Sequence, residues 1–310
     1  MTRILLTGRT GQVGSELERV LARHGDVIAT DRRHLDLADP DSIRAAVRRI
    51  RPDIIANAAG FTAVDDVERA PDLAMRVNGV APGVLGEEAK RLGALLVHYS
   101  TAYVFDGKSD RPYTEDDAPH PVNVYGKSKL AGEQALAATG CDHLILRASW
   151  IYSLRGTNFL LAFLERVARE PVVPVVSDQV GNPTWARSIA EATTVLLGHR
   201  GVREAPGIYH LSAAGAVSRF EFAQRILDLA RERMPATADW PTLKSVATSD
   251  YPLPAARPLN CSTSKEKFRR AFGIEMGDWQ QQLSRCMRDP TGRGRFLDVL
   301  GRRRAEELRR

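Results

Sequence analysis

Tyr125 and Lys129 stand four residues apart in the run "NVYGKSK", so a helix places them on one face. A phenol can give up a proton, and its ordinary pKa near ~10 falls when a neighbouring ammonium favours the phenolate. The pattern Tyr-x-x-x-Lys is short, and its weight comes from its surroundings. Upstream, the stretch "HYSTAYVFDG", His98 to Gly107, follows the apolar run "ALLV" and gathers Tyr99, Ser100, Thr101 and Tyr103 around Ala102. A buried strand has little reason to end in hydroxyls and phenols. Thr101 placed there can hydrogen-bond an oxygen on which negative charge develops. These types allow proton donation by Tyr125, tuning by Lys129 and charge stabilisation by Thr101. That chemistry calls for no metal.

The elements that must position these groups are legible as an alternation. Short apolar strands at "RILLT" (3–7), "DVIAT" (26–30), "PDIIAN" (52–57), "ALLVHYS" (94–100) and "DHLILR" (142–147) are separated by helical patterns. One helix starts near Gln12 with Val13, Leu17, Val20 and Leu21 at helical spacing, and others are predicted near 40–50, 71–92 and 122–138. Such alternation predicts a parallel sheet covered by helices on both faces. The fold class is therefore α/β, a Rossmann-type doubly wound sheet, over residues 1–150. Residues 151–290 read as a smaller, mixed α/β region, parts of it packing back on the first. Helices are predicted there at 158–169, 185–197, 218–233 and 264–272, with strands at 172–177 and 208–212. "YPLPAARP" (251–258) reads as an extended crossing.

The loop "LLTGRTGQVG" sets Gly8, Gly11 and Gly14 between the first strand and the first helix. This spacing is a close relative of the dinucleotide fingerprint, in which glycines permit a tight turn and close approach to a pyrophosphate. The helix N-terminus adds free N–H groups for the phosphates. Gly8, Thr10, Gly11, Gln12 and Val13 are candidate cofactor contacts. Asp31, ending the second strand, suits the adenosine ribose hydroxyls. Arg32 and Arg33 beside it, and Arg9 in the loop, could hold a 2′-phosphate, which favours NADPH with NADH also accepted. Asp36, Leu37 and the run "NAAGFT" (57–62), with Ala58, Ala59, Gly60 and Thr62, would reach the adenine and the middle of the cofactor. Tyr99, Tyr125 and Lys129 complete the candidate cofactor contacts.

Composition sets bounds on what the 310 residues can do. Hydrophobic residues make up 43% and charged residues 26%, as in ordinary globular proteins, and no apolar run approaches the roughly 20 residues of a membrane span. The N-terminal run is too short for a signal peptide. Cys141, Cys261 and Cys286 form no CxxC pair, so a reducing cytoplasm is expected rather than a disulfide framework or zinc site. The net charge of +6 could suggest nucleic acid, but it concentrates in the last twenty residues, where seven Arg face Asp298, Glu306 and Glu307. Residues 291–310 are read as a basic, solvated tail, and no nucleic-acid or membrane partner is expected.

The phosphate loop, the Ser-Thr strand end and the Tyr-x-x-x-Lys pair together resemble the extended branch of the short-chain dehydrogenase/reductase superfamily. Six further segments occur in order: "FTAVDDVE" (61–68), "STAYVFDG", "VYGKSKLAGE", "RASWIY" (147–152), "DQVGNPT" (178–184) and "YPLPAARPLN" (251–260). Over about residues 2–288 they resemble the dTDP-4-dehydrorhamnose reductase family. The resemblance implies NADPH- or NADH-dependent reduction of the C4 ketone of a dTDP-4-keto-6-deoxy sugar. In that reaction Tyr125 is the proton donor, Thr101 the oxyanion partner, and Lys129 also holds the nicotinamide ribose. It further implies that Trp150 contacts the nucleotide-sugar substrate and that the second region, through Asn182 and Arg257, supplies the nucleotide pocket. Thr101, Ala102 and Tyr103 would face the sugar.

Departures from that pattern leave alternatives open. Ala102 stands where the family usually has aspartate, and Val67 where it has a small residue. Ala102 motivates a second reading, a reductase for another nucleotide-ketosugar of a deoxysugar or streptose-type antibiotic pathway. A third reading is a non-catalytic, NADP-binding regulatory subunit like the methionine adenosyltransferase β-subunit. Some family members dimerise through a metal held by acidic side chains. Glu16 matches one such position without a complete set, so a homodimer stays open and no metal ligand is assigned.

Overall fold

Strands that are apolar without alternation must be covered on both faces, and the structure covers them. The computed structural model describes residues 1–233 and 240–292. Its main sheet is built from β1 (Arg3–Thr7), β2 (Asp26–Thr30), β3 (Ile54–Asn57), β4 (Leu95–Thr101), β5 (His143–Ala148) and β6 (Gly207–His210). All pairings are parallel, in the order β6-β5-β4-β3-β1-β2. Leu5 of β1 lies level with Ile28 of β2 on one side and Ile55 of β3 on the other. The chain leaves β1 in one direction and returns to β3 in the other. That reversal opens a crevice at the carboxyl ends of β1 and β3, where such sheets bind ligands.

Labelled helices follow in chain order: α1 (Gln12–Leu21), α2 (Pro40–Ile50), α3 (Ala81–Leu92), α4 (Val124–Thr139), α5 (Phe159–Val167), α6 (Ala186–Leu197), α7 (Arg219–Arg231) and α8 (Trp279–Arg288). Side chains alternate across the sheet, so its two faces build separate cores. On one face Ile4, Leu6 and Val97 pack with Leu17 and Leu21 of α1 and Ile189 and Leu196 of α6. On the other, Leu5, Ile55, Leu96 and Ile145 pack with Val47 of α2, Leu85 of α3 and Leu136 of α4.

The pattern over 71–92 predicts one helix, and the structure makes three pieces. A short turn, Pro71–Ala74, runs into a widened π-type turn, Met75–Val80, before α3 begins. Pro82 explains the break, because it has no N–H to give and its ring crowds the carbonyl four residues back, that of Asn78. The freed turn places the Asn78 side chain between Phe61, which it bonds through both N and O, and Ser128 Oγ of α4. The short helix Val64–Arg69 and α8 are elements the pattern did not predict.

After residue 150 the chain builds a second core around Tyr152, Phe163, Trp185, Phe222, Trp279 and Leu283. Short pairs of strands frame it, Val172–Val176 with Thr242–Val246 and Val180–Gly181 with Val217–Ser218. Yet α6 and β6 return to the first sheet, so the two regions interlock. Among the described residues no helix is long and apolar enough to cross a membrane. The basic tail proper lies outside the described residues.

Candidate active site

The glycine loop turns at the carboxyl end of β1 with Gly8 at φ +75°, a conformation L side chains rarely adopt. A Cβ on Gly8 would come within 2.7 Å of Ala59, and one on Gly14 within 2.0 Å of the Gly8 carbonyl. The loop, α1 and the "NAAGFT" run are thus packed as closely as backbone allows. No side chain caps α1 at Gly11, which leaves its first N–H groups to an anion. This cradle fits a dinucleotide pyrophosphate.

A cleft of about 780 Å³ starts at this cradle. Its walls include Gly8, Thr10, Gly11, Gln12, Val13, Asp31, Arg32, Asp36, Leu37, Ala58, Ala59, Gly60 and Thr62, then Tyr99, Thr101, Tyr103, Tyr125, Lys129 and Trp150. Of the three arginines considered for a 2′-phosphate, Arg32 lines the cleft. Arg9 pairs with Glu18 at 2.6 Å, and neither it nor Arg33 is in the cleft wall. His34 and the Arg33 amide hydrogen-bond Asp31 and hold its carboxyl below the usual range.

Thr101 is the last residue of β4, and Tyr125 and Lys129 sit on the first turns of α4, whose cap is Asn123. Thr101 Oγ1 accepts from the Tyr103 amide at 3.1 Å and shares a hydrogen bond with the Tyr125 hydroxyl. The rings of Tyr103 and Tyr125 meet edge to face, 5.9 Å between centroids. Burial pushes the Tyr125 phenol up to about 12, opposed only by the bond from Thr101. Lys129 Nζ donates to the Tyr99 carbonyl at 2.7 Å and lies 3.1 Å from His98 Nε2. Burial brings this ammonium down to about 8. The expected lowering of the Tyr125 phenol by Lys129 is therefore corrected: burial raises the phenol, and Lys129 is engaged with Tyr99 and His98. At neutral pH the phenol is protonated at either value, so Tyr125 has a proton to give.

The other strand-end groups have structural partners. Ser100 Oγ donates to Glu133 Oε1 at 2.5 Å, and Glu133 takes a bidentate pair from Arg147, 2.6 Å at the shortest, with both charges buried. The Tyr99 phenol bonds Thr193 at 2.8 Å on the far side of the sheet, so Tyr99 serves the site through its carbonyl. His98 Nδ1 lies 3.0 Å from Asn57 Nδ2, and Asn57 Oδ1 accepts from Thr7 Oγ1 at 2.7 Å. This chain, Lys129–His98–Asn57–Thr7, was not found by sequence reading, because no motif joins residues of three strands and a helix.

At the far end the second region closes the cleft. Phe159, Asn158 and Arg219 line it beside Trp150, and none of the three was predicted. Gln12 Oε1 accepts from Ser153 Oγ at 3.0 Å and Asn158 Nδ2 at 2.9 Å, tying α1 to this region. Three expected substrate residues take other places. Ala102 is fully buried in the turn after β4 and is not in the cleft wall. Asn182 is also buried, its amide donating to the Gly215 carbonyl at 2.5 Å and accepting from the Thr263 N–H at 2.9 Å. Arg257 pairs with Asp65 at 2.9 Å, outside the wall though within electrostatic reach of Tyr103 and Arg219. Glu16 is held by Arg187 at 2.9 Å and Arg19 at 3.1 Å, and among the described residues no group of three acidic, His or Cys side chains could hold a metal.

A parallel sheet with a glycine-rich phosphate cradle, and a threonine, tyrosine and lysine at the carboxyl edge of the same cleft, defines an extended short-chain reductase of the Rossmann type. The chain matches the family described as "RmlD substrate binding domain" over residues 1–291, and it belongs to that family. It is 44% identical over 295 residues to the dTDP-4-dehydrorhamnose reductase of Burkholderia thailandensis, covering 93% of this chain and 98% of that one. The Escherichia coli K12 enzyme of the same name is 40% identical, with 92% and 97% covered. The crystal structure of a Bacillus anthracis dTDP-4-dehydrorhamnose reductase in complex with NADP superposes with a TM-score of 0.85 at 31% identity, covering 93% of this chain and 99% of that chain.

Proposed function

We propose that this protein reduces the C4 ketone of dTDP-4-dehydrorhamnose to the alcohol of dTDP-rhamnose with NADPH. One observation carries the reading: the Thr101–Tyr125 pair and Lys129 stand in a single cleft continuous with the phosphate cradle. NADPH, when bound, supplies the hydride that ends on the carbonyl carbon. Tyr125 gives its phenolic proton to the carbonyl oxygen as that oxygen gains charge. Thr101, whose oxygen accepts from Tyr103 N, can donate to the same oxygen once its hydroxyl turns from Tyr125 to the substrate. Lys129, anchored on the Tyr99 carbonyl, presents its remaining N–H to the ribose hydroxyls of the cofactor.

The relatives' names and the ordered motifs favour this sugar. The case for a different ketosugar rests on Ala102, which has no exposed surface and does not line the cleft. A regulatory subunit would need no protonated phenol on a charge-stabilising threonine. Three buried, unpaired cysteines suit a reducing cytoplasm.

The test is NADPH oxidation followed with dTDP-4-dehydrorhamnose, with the product identified by NMR. Turnover to dTDP-rhamnose is expected. Cofactor binding without turnover would support the regulatory reading, and turnover only of other nucleotide-ketosugars the second reductase reading.

A further inference from the structure

Trp150 has an unusual backbone, φ 45°, in the left-handed region that a bulky residue rarely enters. That conformation sets its indole between two neighbours. On one side is Gly181, where an added Cβ would come within 2.5 to 2.9 Å of three ring atoms. On the other is Arg219, its guanidinium carbon 3.5 Å from the ring centroid. Both cannot occupy one face at those distances, so the indole is covered on both faces. A sugar or base can reach only its edge.

Arg219 is held from both ends. It begins α7, beneath a capping box in which Ser218 and Glu221 satisfy each other, and Phe159 adds a second aromatic ring 4.7 Å from its guanidinium carbon. Its position is fixed by aromatic faces, which leave the N–H edge of the planar fork unused. Among the described residues no carboxylate pairs with it and no side-chain hydrogen bond takes its donors, yet it lines the cleft. The other cations near this end are engaged, Arg257 by Asp65 and Lys129 by Tyr99 and His98. Burial brings the Arg219 guanidinium down to about 10, which leaves it charged at neutral pH.

We propose that Arg219, seated over the face of Trp150, is the residue that grips the diphosphate of the nucleotide-sugar, and that Trp150 acts as its platform. This rests on the reading that the cleft takes a nucleotide-linked ketosugar. The geometry agrees with the reacting end: Tyr103 is edge-on to Tyr125 and within electrostatic reach of Arg219. In a pyranose, C4 and C1 lie across the ring from each other. A sugar with C4 at Tyr125 therefore directs its C1 diphosphate past Tyr103 toward the guanidinium. A planar fork with free N–H groups matches phosphate oxygens in a bidentate manner.

The experiment is titration calorimetry on NADP-loaded protein with dTDP, dTMP, thymidine and inorganic pyrophosphate. It compares wild type with Arg219→Met, which keeps an apolar stem on Trp150, and Arg219→Lys, which keeps the charge. Thermal melts check that each variant folds. In Arg219→Met, dTDP affinity should fall about 10- to 100-fold while thymidine changes by less than about 2-fold. Arg219→Lys should fall between. Unchanged dTDP affinity, an equal loss for thymidine, or a loss for NADP in place of dTDP would each overturn the proposal. Failure of the functional reading looks different: dTDP would bind in an Arg219-dependent way while dTDP-4-dehydrorhamnose was not reduced. Normal reduction by Arg219→Met with an unaltered KM would instead leave that reading and remove the clamp.

Discussion

Lys129 and His98 meet through two nitrogens 3.1 Å apart, and a single proton must lie between them. If Lys129 is an ammonium, His98 Nε2 must be bare and Nδ1 must carry the imidazole proton, because an ammonium only donates. Nδ1 then needs an acceptor, which is the carbonyl end of the Asn57 amide. With Asn57 Nδ2 toward Nδ1, as observed at 3.0 Å, the imidazole proton sits on Nε2 and the lysine accepts it as an amine. Burial holds the imidazole well below its usual range, so His98 stays neutral in both.

A pH profile reads this coupling directly. Tyr125, pushed up to about 12, remains a proton donor across the working range. Lys129, brought down to about 8 by burial, is charged below that pH and loses its charge above it. The other charge acting on it is Glu133, which favours the ammonium and is itself paired with Arg147. Reductive kcat/KM should thus be flat below about pH 8 and fall above it. His98→Leu removes an acceptor of the ammonium and should move the falling limb to lower pH. A limb that stays in place would show that His98 does not act on Lys129.

Tyr125→Phe removes one hydroxyl and keeps the ring that meets Tyr103 edge to face. General acid catalysis contributes about 10²- to 10⁴-fold, so turnover should fall by about that factor with NADP affinity retained. The measurement is kcat beside cofactor titration. Near-wild-type turnover would take the proton donor's role away from Tyr125.

Arg32 is the one of the three candidate arginines in the cleft wall, 3.8 Å from Asp36 in a loose pair. Arg32→Ala should lower kcat/KM for NADPH by about 5- to 20-fold through loss of a charge-assisted phosphate contact, and change NADH little. Both constants at one sugar concentration settle it. Equal losses for the two cofactors would assign Arg32 to the adenosine rather than the 2′-phosphate.

The parts of the site that were legible in sequence are those written in contiguous runs. The phosphate loop, the strand end at Thr101 and the α4 pair each lie within one strand–turn–helix junction, where local geometry fixes side-chain direction. The sheet was legible for a related reason, since strands buried on both faces show unbroken apolar runs. What stayed hidden depends on contacts between distant segments. Arg219 and Trp150 meet only because φ 45° turns the indole toward α7. Asn182 read as a substrate residue within "DQVGNPT", but its amide joins Gly215 to Thr263 and holds loops together. The widened turn before α3 follows from Pro82 meeting the Asn78 carbonyl, which helical periodicity does not register.

Ala102 is the departure from the family pattern whose meaning the structure changes most. In sequence it stands among groups that face the cleft, where the resemblance has an aspartate address the sugar. In the structure Thr101 ends β4 in extended backbone and a single tight turn, Ala102–Val104, follows. That turn sends Thr101 and Tyr103 into the cleft wall and leaves Ala102 with no exposed surface. A carboxylate added at this position would be desolvated, and an unpaired buried charge is costly unless it is neutralised or bonded. Ala102→Asp should therefore lower the unfolding free energy by about 2–4 kcal/mol and leave the ratio of kcat/KM between nucleotide-ketosugars unchanged. Denaturant unfolding and a substrate panel on the same preparation measure both effects. A changed sugar preference with unchanged stability would mean that position 102 reaches the substrate after all, and would restore the case for a different natural ketosugar.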